Sequence, residues 1–229
     1  MILIEKTEIF GYEAAIRGMR NPKNSWDKSD SVFCMGAVSV GEADLKLMKT
    51  LANAGTDHGK FLRMITVYAD ITAPFYWWKE FDTYKVGTVA NSCSTMHKIH
   101  AKEFVPADFS TDDLDEESLE VLDAVIALLN RNRNRFNERA NRLKVDENLT
   151  SAERKHIAAQ QKKAWKQMIH MLPTSYNQKR TVMLNYAVLK NMYNARHDHK
   201  LDEWHTLCDW TERLPYAELI TGKEVVFFE

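Results

Sequence analysis

The chain reads as an α+β protein, mostly helical, with one small antiparallel sheet. Three observations carry that reading. Several segments repeat apolar residues every three or four positions, the mark of a helix with one buried face. Only three stretches are rich enough in β-branched and aromatic residues to suit strands. The chain holds just eight Gly and five Pro among 229 residues, which argues against a loop-rich β-sandwich.

Taken in order, residues 2–10 (ILIEKTEIF) alternate loosely and form the first strand. Ala14 to Met19 has helical composition, and Asn21-Pro22-Lys23-Asn24-Ser25 is turn chemistry. Residues 41–54 put Leu45, Met48 and Leu51 at helical spacing, with Gly55 as the stop. Lys60 to Tyr68 (KFLRMITVY) reads as a second strand, and Pro74 divides it from a helix that begins near Phe75. An acidic connector, 108–118, offers Ser110 or Thr111 as a helix cap. The helix beyond it carries Leu119, Leu122, Val125, Ile126 and Leu129 on one stripe and runs into the basic, Asn-rich stretch 131–142. Another helix spans Ser151 to about Met171 and is broken by Leu172-Pro173. A last long helix covers Ser175 to Ala195, a shorter one Leu201–Arg213, and VVFF at 225–228 suits a terminal strand. No repeat, low-complexity tract or boundary appears, so residues 1–229 are expected to form one domain.

Bulk composition narrows the function. An apolar fraction of 45% with 28% charged residues is that of an ordinary globular protein. Lys and Arg (31) balance Asp and Glu (32), which removes any general drive toward nucleic acid or a membrane surface. No stretch approaches the ~18 uninterrupted apolar residues of a membrane span. The start, MILIEKTEIFGYE, lacks the apolar core of a signal peptide. Cys34, Cys93 and Cys208 are too few and too scattered for a disulfide framework or a zinc site. These features fit a reduced, cytoplasmic protein.

The segment from Thr72 to His97 is the richest in chemistry. Phe75, Tyr76, Trp77 and Trp78 precede Lys79, Glu80, Asp82 and Lys85, and then Gly-Thr-Val-Ala-Asn-Ser-Cys-Ser-Thr. Flat side chains beside fixed charges and small hydroxyls suit a pocket for a flat, anionic ligand such as a nucleotide or a flavin; packing in a core is the competing use of such aromatics. Farther on, Val182, Asn185, Leu189, Met192 and Arg196 are spaced 3, 4, 3 and 4 and share one helical face. Asn185 and Arg196 are then partly buried polar groups in need of partners, from the protein or from a ligand. His97 and His100, and the run RHDHK at 196–200, lack the further ligands of a metal site. Cys93, between Ser92 and Ser94 and four residues before His97, has a nucleophile's neighbours but no established base. No GxGxxG or Walker A pattern is present.

Two segments together resemble the flavin-dependent thymidylate synthases, over roughly 57–98 and 165–213. The family's block P-[FI]-F-x-x-R-Q-x-x-RHR-x-x-S-x-N-E-x-S-x-R-Y is matched outright by Pro74 and Phe75. Tyr76, Lys79, Lys85, Thr88 and Cys93 are conservative stand-ins for Phe, Arg, Arg, Ser and Ser. His58 lies at about the right distance before it. The family's late helix, LP…N-x-R-x-L-x-N-F-x-x-x-R-x-D, is met by Leu172-Pro173, Asn185, Leu189, Asn191, Arg196 and Asp198. The chain departs at Thr83-Tyr84-Lys85, where the family has RHR, at Glu80 for Gln, at Ala90-Asn91 for Asn-Glu, and at Thr95, Ala187 and Ile169 for Arg.

The resemblance implies an α+β homotetramer that binds FAD, dUMP and methylenetetrahydrofolate and makes dTMP by reductive methylation, with NADPH as a further candidate. It assigns His58, Lys85, Asn185 and Asn191 to the flavin. It assigns Lys79, Ser92, Cys93, Ser94 and Arg196 to the nucleotide, with Arg196 polarising the pyrimidine ring. Lys179 and Arg180 stand by position as substitutes for the lost arginines. Charge-assisted phosphate contacts are strong and Lys offers no bidentate fork, so those losses leave two readings open. One is a divergent enzyme. The other is a non-catalytic relative that keeps the fold and binds a nucleotide or a protein partner. A nucleic-acid role for 131–142 runs against the near-neutral charge.

Overall fold

The computed structural model describes residues 2–34 and 37–223; the strand expected at 225–228 lies outside them. The elements run β1 (Leu3–Phe10), α1 (Tyr12–Arg20), β2 (Val32–Cys34), β3 (Ala37–Ser39), α2 (Glu42–Asn53), β4 (Thr66–Pro74), α3 (Phe75–Phe81), β5 (Val89–Ser92) and α4 (Thr95–Lys98). They continue with α5 (Glu116–Val145), α6 (Ser151–Met171), β6 (Asn177–Asn185), α7 (Tyr186–Arg196), α8 (Asp202–Glu212) and α9 (Glu218–Thr221). The main sheet has the order β1-β4-β6-β5, with β1 antiparallel to β4, Leu3 opposite Thr72 and Phe10 opposite Thr66. β2 and β3 pair separately as an antiparallel hairpin.

The chain gathers into two compact units. The first holds residues 1–72, 77–91 and 179–229. Its core is built from Ile16, Met48, Ile65, Val67, Ile71, Val182, Leu184, Leu189 and Trp204, all almost fully buried. Arg20 and Asp44 are buried there as a pair. Nε of Arg20 donates to Asp44 at 2.6 Å, and the other guanidinium nitrogens reach the carbonyls of Ser25 and Lys28. The second unit holds residues 73–76 and 92–178. There α5 packs along α6, and Ile99, Phe104, Phe109, Leu122, Ile126, Leu129 and Met168 form the core. Thr150 and Glu153 close a capping box at the start of α6, where sequence places it.

Three expectations change. Lys60–Met64 is part of a 3-10 turn, Gly59–Met64, not a strand. Phe61 and Leu62 are adjacent and both buried, which a strand cannot achieve on one face. Period-two burial begins only at Ile65 and continues through Val67, Ala69, Ile71 and Ala73. The long helix expected from Ser175 is a strand to Asn185 and a helix only from Tyr186, because Gln178, Val182 and Leu184 are buried in alternation and Asn185 caps α7. Helix α5 is capped by Asp115 and not by Ser110 or Thr111. Phe109 is bridged to Tyr176, and the Ser110 amide donates to the Ser175 carbonyl, so that stretch is held extended. Of the two uses open to the aromatic run, Trp77 (0% exposed) and Trp78 (1%) take the core: they pack with each other and with Phe81, and Trp77 with Trp204 at 5.0 Å.

Candidate functional site

Two features of the first unit meet around the loop from Asp82 to Thr88. One is a cleft of about 510 Å³ lined by Gly55, Thr56 and Arg63, by Val86 and Gly87, and by Asn185, Lys190, Asn191 and Asn194. Its volume falls within the ~300–1,000 Å³ typical of small-molecule sites. No acidic residue among those described lines it, and Arg63 and Lys190 supply positive charge. Lys190 donates to the Ala52 carbonyl at 2.9 Å, and burial pushes its ammonium below the usual lysine range.

Asn185 lines the cleft because of where it falls in the chain. It is the last residue of β6, and its Oδ1 accepts from the Val188 amide at 2.9 Å, starting α7. Its Nδ2 donates to the Gly87 carbonyl at 3.4 Å, a long bond. Gly87 has φ 83°, and a Cβ there would lie 2.5 Å from that Nδ2. The position thus calls for glycine twice, for backbone and for space. From Tyr186 onward the helix presents Ala187, Lys190, Asn191 and Asn194 to the cleft, a 3, 4 and 7 spacing. Leu189, Met192 and Tyr193 are buried on the other side.

The second feature surrounds Arg196 at the end of α7. Its Nε donates to the Tyr84 hydroxyl at 2.9 Å, and Nη1 donates to Glu80 Oε2 at 2.8 Å. Its guanidinium lies 4.7 Å from the Trp204 ring centroid. Trp204 Nε1 donates to the same Glu80 oxygen at 2.9 Å, and His199 Nε2 lies 3.4 Å from it. The arginine is half-buried, neutralised and fixed in direction, and its Nη2 makes no hydrogen bond among the described residues.

Of the residues singled out in sequence, the structure brings Asn185 and Asn191 into one cleft. His58 is exposed, between Thr56 and Gly59 of the lining but not itself lining it. Lys85 is exposed and directly precedes Val86 of the lining. Lys79 is exposed on α3. Ser92, Cys93 and Ser94 lie in the second unit, all exposed. The Cys93 carbonyl accepts from Gln178 Nε2 at 2.8 Å, and Ser94 caps α4 by accepting from the His97 amide. Neither bond activates the thiol. Lys179 is held by Glu5 and Asp70, and Arg180 by Asp82 while it covers Trp78, so both cations offered as substitutes are already paired.

Sequence reading passed over Arg63, Gly87, Lys190 and Asn194. Asn194 and Lys190 were within reach, since they share a helical face with Asn191 once the helix is started at Tyr186. Glu80 was noted only as a departure. A larger groove of about 1060 Å³, against Tyr12, Arg17, Phe33, Leu45 and Tyr216, holds none of the sequence-derived site residues. Among the described residues no helix is long and apolar enough to cross a membrane. None of their His, Cys, Asp and Glu side chains gather in threes or more to hold a metal ion.

No family model matches the sequence, and no curated protein matches it. Solved structures do. The chain is similar to thymidylate synthase X from Helicobacter pylori with FAD and dUMP, at 16% identity and a TM-score of 0.62, over 96% of this chain and 97% of that one. A further structure of that enzyme complexed with FAD and dUMP gives 16% identity, a TM-score of 0.61 and 96% of each chain. The UMP/dUMP methylase PolB from Streptomyces cacaoi, bound with 5-Br UMP, gives 13% identity, a TM-score of 0.53, and 97% of this chain and 94% of that one. The chain has the flavin-dependent thymidylate synthase fold, the α+β class expected from sequence.

Proposed function

We propose that this chain is a divergent relative of the flavin-dependent thymidylate synthases. In this reading it binds FAD and acts on a pyrimidine nucleotide, converting dUMP to dTMP or carrying out a related reductive methylation. The observation that carries the proposal is the acid-free cleft that gathers Asn185 and Asn191 against Gly87. It offers cations and amide donors to an anionic ligand, a close backbone approach at Gly87, and apolar walls from Ala52, Leu62 and Val188. Those features fit a flavin nucleotide.

In this reading Asn185 and Asn191, with His58 and Lys85 beside them, hold the flavin. FAD, once reduced, supplies hydride. Arg196 stabilises negative charge developing on the pyrimidine ring, with Nη2 as its available edge. Tyr84, Glu80 and Trp204 fix the plane of that guanidinium. Lys79 and the Ser92-Cys93-Ser94 turn are assigned to the nucleotide by the resemblance alone, as are the homotetramer and the use of methylenetetrahydrofolate and NADPH; the cytoplasmic setting and the treatment of 1–229 as one domain rest on sequence composition and the lack of a boundary in it.

A specific observation favours a second reading, a non-catalytic relative. Glu80 stands where the family has Gln and neutralises Arg196. The experiment is a titration of the purified protein with FAD, followed by flavin fluorescence, beside Asn185→Asp. The variant keeps an oxygen to cap α7 but replaces the amide donor with a negative charge. Tight binding by the wild type and at least tenfold weaker binding by the variant, at an unchanged thermal midpoint, support the flavin site. A protein that ignores millimolar FAD and dUMP refutes it. Binding without formation of dTMP from dUMP, methylenetetrahydrofolate and NADPH selects the non-catalytic relative.

A further inference from the structure

Asn132 lies in the middle of α5 with 1% of its surface exposed, and neither Nδ2 nor Oδ1 has a hydrogen-bond partner. A buried amide left unpaired at both ends is costly, and such groups are rare in folded proteins. The side chain lines a cavity of about 160 Å³ in the second unit, together with Arg135, Arg139, Gln160, Lys163 and Gln167. The positions are regular. Asn132, Arg135 and Arg139 are spaced 3 and 4 along α5, and Gln160, Lys163 and Gln167 are spaced 3 and 4 along α6, so one face of each helix supplies the lining.

The charge in this cavity is one-sided. Among the described residues Arg135, Arg139 and Lys163 form no ion pair and no acid lines the space. Arg139 makes one long contact, from Nη1 to the Gln160 carbonyl at 3.4 Å. Water could satisfy the amide, since the cavity exceeds the ~30 Å³ that one water occupies. Arg135 and Lys163 are exposed and solvated, and water alone would leave unused the convergence of three cations on one buried, unpaired amide. The volume also falls below the ~300 Å³ at which sites for whole small molecules begin. What fits both facts is a compact anion. Hydrogenphosphate carries acceptor oxygens for Asn132 Nδ2, the guanidiniums and the ammonium, and an O–H that can donate to Asn132 Oδ1.

We propose that this α5–α6 cavity is a binding site for a phosphate group, either free phosphate or the end of a phosphate monoester. It does not rest on the nucleotide reading and shares no residue with the cleft or the Arg196 cluster.

The test uses the full chain in phosphate-free buffer. Sodium phosphate is titrated against sodium chloride at matched ionic strength, and the thermal midpoint and heats of binding are followed. The wild-type midpoint is expected to rise saturably with phosphate and not with chloride, as for any ligand that binds the folded state. Asn132→Leu is expected to raise the midpoint without phosphate and to abolish the phosphate response. Arg139→Gln combined with Lys163→Gln, which leaves Asn132 in place, is expected to weaken phosphate at least tenfold. Asn185→Asp is expected to keep the wild-type response. Ribose 5-phosphate is the second ligand: tenfold tighter binding than inorganic phosphate identifies a monoester, and equal binding identifies the free anion. A wild-type response no larger than the chloride control overturns the proposal. So does a phosphate response that survives either the Asn132 or the double variant, or one that is lost in Asn185→Asp.

Discussion

Substitution of Gly87 by Ala gives a sharp test of how the cleft is built. Gly87 has φ 83°, and a Cβ there would sit 2.5 Å from Asn185 Nδ2. Two costs add. The left-handed backbone costs an L-residue about 1–2 kcal/mol. The Asn185 amide must also move, and it is buried and engaged as the α7 cap through Val188. Losing such a cap costs about 0.5–2 kcal/mol. Gly87→Ala is therefore expected to destabilise by about 1.5–4 kcal/mol. The control is Gly55→Ala, at φ 99° with nothing within 4 Å of the added Cβ, which carries only the backbone cost. Urea denaturation of both variants, followed by tryptophan fluorescence, measures the difference. If Gly87→Ala is no less stable than Gly55→Ala, Asn185 is not held as described, and this contact does not build the cleft.

Two further outcomes follow from buried and half-buried charge. Asp44 is buried; burial alone would raise its pKa, but hydrogen bonds from Ser29, Ser31 and Arg20 and the Arg20 charge outweigh it and hold the carboxyl below its usual value. Its stabilising contribution is thus complete above the unfolded value of about 3.9 and is lost as pH falls through the depressed folded value. Asp44→Asn leaves Arg20 buried without its counter-charge and is expected to cost about 3–5 kcal/mol at neutral pH, with a shallower loss of stability in acid, both read by urea denaturation across pH. Glu80→Gln keeps an acceptor for Trp204 but removes the charge on Arg196. In the nucleotide reading, dUMP should bind about three- to tenfold more tightly, roughly 0.7–1.4 kcal/mol, by calorimetry; unchanged affinity would detach Arg196 from nucleotide binding.

Much of the fold was legible where local signals agreed. Residues 41–54 carried a helical period and a Gly stop, residues 151–171 carried a Leu-Pro break, and α2 and α6 lie there. The misreading at 175–195 has a physical origin. Val182, Asn185, Leu189 and Met192 keep a 3 and 4 spacing across a strand-to-helix join, so a helical count runs through a position where the backbone changes geometry. Asn185 was rightly singled out as a buried polar residue, but its partners are the Val188 amide and the Gly87 carbonyl, not a helical face. The three-residue strands β2 and β3 offered too short a pattern to read. The bond from Arg196 to Glu80 joins residues 116 apart, and no spacing rule reaches that far. The aromatic run at 75–78 left pocket and core both open; its tryptophans build the core, and Glu80, Tyr84 and Gly87 just beyond them meet the two polar features.

The loop from Asp82 to Thr88 also has a thermodynamic consequence. It leaves α3 just past Glu80, meets Arg196 through the Tyr84 hydroxyl and meets Asn185 through the Gly87 carbonyl, three residues later. Occupants of the cleft and of the Arg196 cluster would therefore share one short piece of backbone. If either shifts that backbone to a position the other favours or resists, the two affinities are linked, and by reciprocity each changes the other by the same factor.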